Sequence, residues 1–435
     1  MSEPESIPVY FDQFVAGLIS VVSNGTLGFR YEPRWLATTG AFPLSVTMPL
    51  RAGPFSDTVI APWLANLLPE EQQLVAVSRT LGLSASDSLA ILREIGGDTA
   101  GAISIGAPSL RADWSYRALT DWYQVPDPSR ALSLHFDDLG LRPFMAGADG
   151  IRLSLAGGQK KSALAVLDRD GRPKLGPVGP DDALAVPTHG APSTIIIKPD
   201  NPTLPGIVEN ECYCMTLAGL IGIPVAATQI ISFENRTALS VVRYDRVVRA
   251  DGSIRRLHQE DFAQANGLYP GQKYEQGTVA GLTMTGLLET GRHLPAAESL
   301  KMLDQVIFNI LVANTDAHAK NYSMILTGGP KMAPLYDVST VLMWEHVNQH
   351  HAQKLAGRKR KPGDMDRRHW DQIANDAGLS ARGVRLRVQE LIDAMVASRV
   401  AATATVAGQP GATAAIVEEV AALVEDNALR IAGRL

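Results

Sequence analysis

Cysteine is nearly missing from this chain: two in 435 residues, Cys212 and Cys214, both in NECYCMTLAGL. Two positions apart on a helix, they would point to nearly opposite sides. That argues against a disulfide or a shared metal and makes both small core residues. Long apolar runs are missing too. No stretch of roughly 18 consecutive apolar residues occurs, and Arg399 interrupts the Ala/Val-rich tail around 391–407, so no membrane span is expected. The N-terminal MSEPESIPVY has no basic segment leading into an apolar one, which argues against a secretory signal and makes the cytoplasm the expected compartment. A net charge of −5 gives no generally nucleic-acid-binding surface, so any such contact needs a local basic patch or a partner. Internal repeats and low-complexity segments are also lacking.

What is present describes an ordinary globular protein, 46% hydrophobic and 20% charged, long enough for two or three compact units. Residues 8–50 alternate apolar and polar, with Asn24-Gly25 as a hairpin turn, and predict a small antiparallel sheet. From 60 to 106 the pattern is helical, with Ser84 or Ser86 as the N-cap of SASDSLAILREIG. Residues 107–149 read as a looser stretch and a boundary. IRLSLAGGQKKSALAVL, 151–167, predicts two strands joined by a glycine-containing loop, and STIIIKPD, 193–200, a short β-branched strand. A helix follows over 207–221, carrying Glu209 and Glu211. A hairpin pair over 227–246 has Glu234-Asn235 at its turn. After 258 the chain reads as mainly helical, apart from a short hairpin in 322–340. The fold class is therefore α+β and two-lobed, β-rich first and helical second.

The chemistry gathers at that junction. ANTDAHAKNYSMI, 313–325, places Asp316 and Asn321 five positions apart, straight after the apolar run MLDQVIFNILV. Phosphoryl transfer needs phosphates held, metals placed and an acceptor oriented. Protein kinases meet those needs with a glycine-bearing loop, a strand lysine, an Asp with an Asn five residues on, and a later metal-binding Asp. This chain offers the same series in order: SLAGGQKK with Gly157, Gly158 and Lys161, then Lys198 ending Ile195-Ile196-Ile197, then Asp316 and Asn321, then Asp337 in PLYDVS. Each alone has a bland reading, as a turn, a solubilising lysine, a helix cap or a stray acid. Together and in register they do not. Glu209 and Glu211 compete as ion-pair partners for Lys198.

Longer motifs then carry a resemblance. GTLGFRYEPRWL, PLSVTMPL, WLANLLPE and GGDTAGAISI in the first part, and LSLAGGQKKSAL, IIIKPD, ENECYCMTLAGLIGIPV, VVRYDR, RLHQEDFAQANG, NTDAHAKNYS and PLYDVST in the rest, resemble the HipA family of bacterial toxin kinases over nearly the whole chain. The resemblance implies an N-terminal subdomain over 1–110, a connecting segment over 111–150, a kinase N-lobe core over 151–250 and a helical C-lobe over 251–435. It implies ATP and Mg²⁺ as cofactors, with Asp316 as the catalytic Asp and Asn321 and Asp337 as metal ligands. For ATP it implies Lys198, the loop Ala156, Gly157, Gly158, Gln159, Lys160 and Lys161, the hinge Val242, Arg243 and Tyr244, and also Asp245, His318, Lys320 and Tyr336. Ser154 stands where relatives silence themselves by autophosphorylation. The implied activity is that of a Ser/Thr kinase toxin causing growth arrest and persistence. Its implied target is a translation protein such as an aminoacyl-tRNA synthetase. The implied partner is a small helix-turn-helix, HipB-like antitoxin that brings the complex to operator DNA. GGQKK departs from the family where many relatives carry an acid before the last lysine.

Two alternatives stand beside this: a catalytically silent module that binds a DNA-binding antitoxin and co-represses, and a small-molecule kinase. His346 and His350 share i, i+4 spacing without the acidic partner of a metalloprotease motif and read as solvated. Arg358-Lys359-Arg360-Lys361 reads as a solvated loop or as a local contact for nucleic acid.

Overall fold

A computed structural model of the chain describes residues 5–21, 25–275 and 279–435, so Asn24 of the expected turn lies outside the described residues. The strands Glu5–Phe11, Phe14–Val21 and Leu27–Tyr31 form an antiparallel sheet, with Ile103–Ile105 along the first strand. Alternation buries Ile7, Val9, Phe11, Ile19, Phe29 and Tyr31 in one core with Trp63 and Leu64 of helix Asp57–Ala65 and Ile91 and Leu92 of helix Ser88–Ile95. The cap of that last helix is Asp87, whose carboxylate accepts from the Ala90 N–H, and neither expected serine does this. Ser84 and Ser86 share a 2.9 Å hydrogen bond with each other instead.

A second antiparallel sheet runs in the order Thr228–Phe233, Arg236–Val242, Ile195–Pro199, Ser162–Leu167, Ala183–Thr188, Ser115–Ala118, with Pro173–Lys174 beside Ser162–Leu167. Two expectations change here. Residues 107–149 are not a loose stretch: Ser115–Ala118 joins this sheet, and Pro128–Leu141 is a helix capped by Asp127. Phe136 of that helix packs on Phe233 of the sheet at 5.2 Å. Nor do residues 151–167 make two strands. Only Ser162–Leu167 is one, because the upstream half finds its backbone partners in the N-terminal region: Leu153 bridges Asp98 and Gly157 bridges Pro69.

The helical lobe is built around Ile207–Leu220, which lies against Ala381–Ala407 and Ala414–Ala432 and shares a core with Ala296–Leu311. Cys212 and Cys214 are both free and buried there. Arg399 pairs with Glu418 and, at 3.0 Å, with Glu425, tying the two long helices together. Among the described residues no helix is long and apolar enough to cross a membrane.

The N-terminal region is joined to the rest by buried polar contacts. Gln264 Nε2 donates to the Trp63 carbonyl at 3.1 Å, and the Val46 N–H to Glu260 Oε1 at 2.8 Å. Glu260 is fully buried with no cation on it, and burial pushes its carboxyl up to about 8 despite the opposing bonds from Ser45 and Val46. The unfolded chain ionises this group near its ordinary value of 4.5. Stability is therefore lost as pH rises from there to about 8, by about 1.4 kcal/mol per unit. Glu260→Gln should abolish that slope. Thermal melts of variant and wild type should coincide near pH 4.5 and diverge toward pH 8 in the variant's favour. A constant difference across that range would contradict the assignment.

Candidate active site

Helix Ala296–Leu311 ends at Val312, and Ala313 turns the chain with φ 59°. The polar residues that follow are tied to the helix end and to each other. Asn314 Nδ2 donates to Asn309 Oδ1 at 2.8 Å, the Asp316 N–H to Asn314 Oδ1 at 3.2 Å, and Asn321 Nδ2 to the Asp316 carbonyl at 2.9 Å. The Asp316 carboxylate accepts from the Tyr274 hydroxyl at 2.5 Å. The Tyr274 ring meets His318 edge-on at 5.0 Å. His318 is buried, which lowers its pKa, and its Nδ1 has no hydrogen-bond partner among the described residues.

Lys198 lies on a strand flanked on both sides, which fixes its direction. Its ammonium donates to Glu211 Oε1 and to Asp337 Oδ1, both at 2.7 Å. Glu209 accepts instead from the Thr413 N–H at 3.2 Å, so Glu211 is the partner. Burial opposes the charge on Lys198, but Asp337 and Glu211 outweigh it and raise the pKa. Burial likewise works against ionised Asp337, yet Lys198 and Lys161 hold its carboxyl well below the ordinary range. Asp337 also has φ 60°, a strained backbone for a residue with a side chain. Burial depresses Lys161 to about 8 against the pull of Asp337.

The glycine loop is fastened from below. Lys161 Nζ donates to the Ala156 carbonyl inside the loop. A Cβ on Gly157, which has φ 100°, would stand 2.8 Å from that ammonium, so no other residue fits without displacing it. From the N-terminal region, the Glu70 N–H donates to the Gly157 carbonyl at 3.4 Å and Gln73 Nε2 to the Gly158 carbonyl at 2.7 Å. The Glu70 carboxylate in turn pairs with Lys273 at 2.6 Å.

These groups surround one cavity of 460 Å³ lined by Gly157, Gly158, Lys161, Lys198, Asp316, Asn321 and Asp337. Part of its wall is the stacked pair Tyr244 and Tyr336, 5.4 Å apart and 26° from parallel, an aromatic surface suited to a flat ring.

Val242, Arg243, Asp245 and Lys320 line the same cavity and also make contacts that hold the fold. The Val242 and Arg243 amides already donate to Ala227 and Thr194 carbonyls at 2.8 and 3.0 Å, so neither is left for an adenine. The Arg243 side chain and Asp245 belong to a buried charge cluster. In it Asp98 meets Arg246 at 2.7 Å and Arg256 at 2.9 Å, with Arg243 at 3.5 Å. The Asp245 carboxylate accepts from Arg243 at 2.7 Å and from the Gly101 N–H at 2.7 Å and pairs with Arg246 at 3.0 Å, while Asp245 also lines the cavity. Lys320 donates to Asn66 Oδ1 at 2.7 Å and stands 3.2 Å from Asp261, holding the N-terminal region to the helical lobe. Lys160 is outside the cavity lining, with its ammonium 3.5 Å from the place of a Cβ on Gly140. Ser154 is fully buried and donates to the Leu67 carbonyl at 2.7 Å, so the hydroxyl is inaccessible as seated.

His346 and His350 are not on a helix: one contacts the Thr203 carbonyl, the other Asn348, and no metal-competent cluster occurs among the described residues. Reading residue by residue missed Glu70, Gln73 and Asp98. WLANLLPE and GGDTAGAISI hold Glu70 and Asp98, but nothing local says what either side chain meets.

Residues 153–399 match the HipA-like C-terminal domain, and residues 7–106 the HipA N-terminal domain. "Putative kinase Y4mE" of Sinorhizobium fredii is 37% identical over 88% of this chain and 89% of that protein. "Serine/threonine-protein kinase toxin HipA" of Shewanella oneidensis is 30% identical over 79% of this chain and 77% of that one. Among solved structures, HipA from the Shewanella oneidensis MR-1 complex of HipA, HipB and operator DNA superposes with a TM-score of 0.80. That chain is 26% identical, with 98% of this chain and 97% of that one covered.

Proposed function

The chain belongs to the HipA-like family of Ser/Thr kinase toxins, and from that premise we propose that it transfers the γ-phosphoryl group of ATP to a protein serine or threonine. The observation carrying this is the convergence of Lys198, Asp316, Asn321 and Asp337 on one cavity beneath the glycine loop. A scaffold that only binds a partner has no need of that set. In the proposed reaction Asp316 orients the acceptor hydroxyl and takes its proton, while Lys198 and Lys161 hold phosphate oxygens. The Asp337 carboxylate and the amide oxygen of Asn321, whose Nδ2 is spent on Asp316, are hard oxygen donors that suit Mg²⁺. Bound there, Mg²⁺ would offset negative charge on the phosphates. Tyr244 and Tyr336 offer the adenine a face.

The proposal extends to a toxin of a type II system acting in the cytoplasm. It arrests growth by phosphorylating a translation protein, an aminoacyl-tRNA synthetase being the candidate, and so promotes persistence. A helix-turn-helix antitoxin restrains it and carries it to operator DNA. Autophosphorylation at Ser154 silences it. The burial of Ser154 supports the last point. A phosphate there adds nearly two negative charges, which the site under Leu67 cannot hold, so the modified loop would leave its seat.

Incubation with labelled ATP and Mg²⁺ tests the reading. We expect one phosphate on the intact protein, absent from Ser154→Ala, and growth inhibition on expression without antitoxin. Self-labelling unchanged in that variant would move the regulatory serine. Label on a metabolite, or no transfer with antitoxin binding kept, would replace the reading.

A further inference from the structure

A second cavity, of 530 Å³, also reaches Asp316. It shares Asp316, Tyr274, Asn314, Leu204, Ile207 and Ser339 with the nucleotide cavity, but Lys198, Asp337 and the glycine loop do not line it. In-line transfer needs the acceptor and the leaving group on opposite sides of the phosphorus. The acceptor therefore enters where the nucleotide is not, yet within reach of the same carboxylate.

Beyond the shared residues, the cavity has an apolar side, Val341, Trp344 and Val347, and a polar one that includes Thr315, Asn348 and His350. They are also held in place. Trp344 Nε1 donates to the Pro205 carbonyl at 2.9 Å, and Gln349 Nε2 to the Trp344 and Val347 carbonyls at 2.9 and 3.2 Å. A site ordered in advance costs less to bind. Among the described residues the cavity's lining holds one carboxylate, Asp316, and one ammonium, that of exposed Lys359. Among the described residues the side chains of Lys359 and of its exposed neighbours Arg358 and Lys361 form no ion pair, although the Lys361 N–H donates to Asp364 at 3.3 Å.

We infer that this cavity is the acceptor-side subsite. It takes an apolar side chain close to the target serine or threonine, in a protein segment that also carries a carboxylate for Lys359. The inference rests on the kinase reading above. It gives a substrate class to the basic run at 358–361, which from sequence alone reads as a solvated loop, with a nucleic-acid contact as the alternative.

The test uses the full chain, Mg²⁺, labelled ATP and serine peptides varied at flanking positions between Leu and Gly and between Glu and Lys. Wild type should label Leu/Glu peptides at least tenfold faster than Gly/Lys ones. Lys359→Glu, at an exposed position that does not threaten folding, should level or invert the Glu-to-Lys ratio. Val347→Asp should remove the Leu preference. Each readout is a ratio within one enzyme, so a general loss of activity does not mimic it. Label without preference, a ratio unchanged in Lys359→Glu, or self-labelling with no peptide accepted overturns the inference and leaves the kinase standing. Peptide labelling suppressed by added tRNA in wild type and restored in Lys359→Glu assigns the patch to nucleic acid instead. No transfer to anything defeats the kinase reading and this inference with it.

Discussion

Asp316→Ala should lower single-turnover phosphoryl transfer by about 10²–10⁴-fold, the range for losing a positioned general base. Nucleotide affinity should change far less, because the carboxylate is placed for the acceptor and Lys198 and Lys161 remain. The fold should survive, since what the side chain loses is one hydrogen bond from Tyr274. Asp316→Asn is the companion variant. It keeps an acceptor for the Tyr274 hydroxyl but no longer takes a proton, so it should be as slow as the alanine form. Transfer within threefold of wild type in both would remove Asp316 from the chemistry. Recovery in the asparagine form alone would make it a positioning group.

The largest loss of stability should come from Asp98→Ala, far along the chain from any of the reacting groups. Asp98 is buried against Arg243, Arg246 and Arg256 and accepts from Ser193 Oγ at 2.6 Å. Removing one partner of a buried ionic group leaves the others uncompensated and costs roughly 3–5 kcal/mol. Here three guanidiniums would face each other with Asp245 alone between them. Burial would raise the Asp98 pKa, but Arg246, Arg256 and Arg243 outweigh it and hold the carboxyl well below its ordinary 3.8. Its contribution is thus complete above that value and lost as pH falls further. Guanidinium melts at pH 7 should show the full difference between wild type and variant, shrinking in acid. A loss under 1 kcal/mol would mean that water replaces the carboxylate.

That cluster also marks how far the sequence could be read. Asp316, Asn321, Lys198 and Asp337 were legible because their chemistry dictates type, order and spacing, and the hairpin of Ser323–Ile325 and Lys331–Met332 before Asp337 has a pattern of its own. The two-lobed layout was legible from the change of period along the chain. VVRYDR was not legible residue by residue. Arg243 and Asp245 line the cavity, but their place in a buried charge cluster with Arg246 and Asp98 is something only the tertiary fold reveals. The same holds for the glycine loop. A hairpin was the economical local reading of 151–167, but backbone partners from Asp98 and Pro69 outbid a second strand. The choice between Glu209 and Glu211 turned on which face of Ile207–Leu220 meets the sheet, which an all-round apolar helix does not declare.

The fastening of Gly157 and Gly158 to Glu70 and Gln73 reaches beyond this one loop. The roof over the proposed triphosphate site is propped by a module that supplies none of the proposed reacting groups. A protein that grips the module and tilts it would thus loosen the hold on ATP from a distance. Conversely, a nucleotide locked under the roof would stiffen the module's outer face, so what docks there could sense whether the cleft is filled.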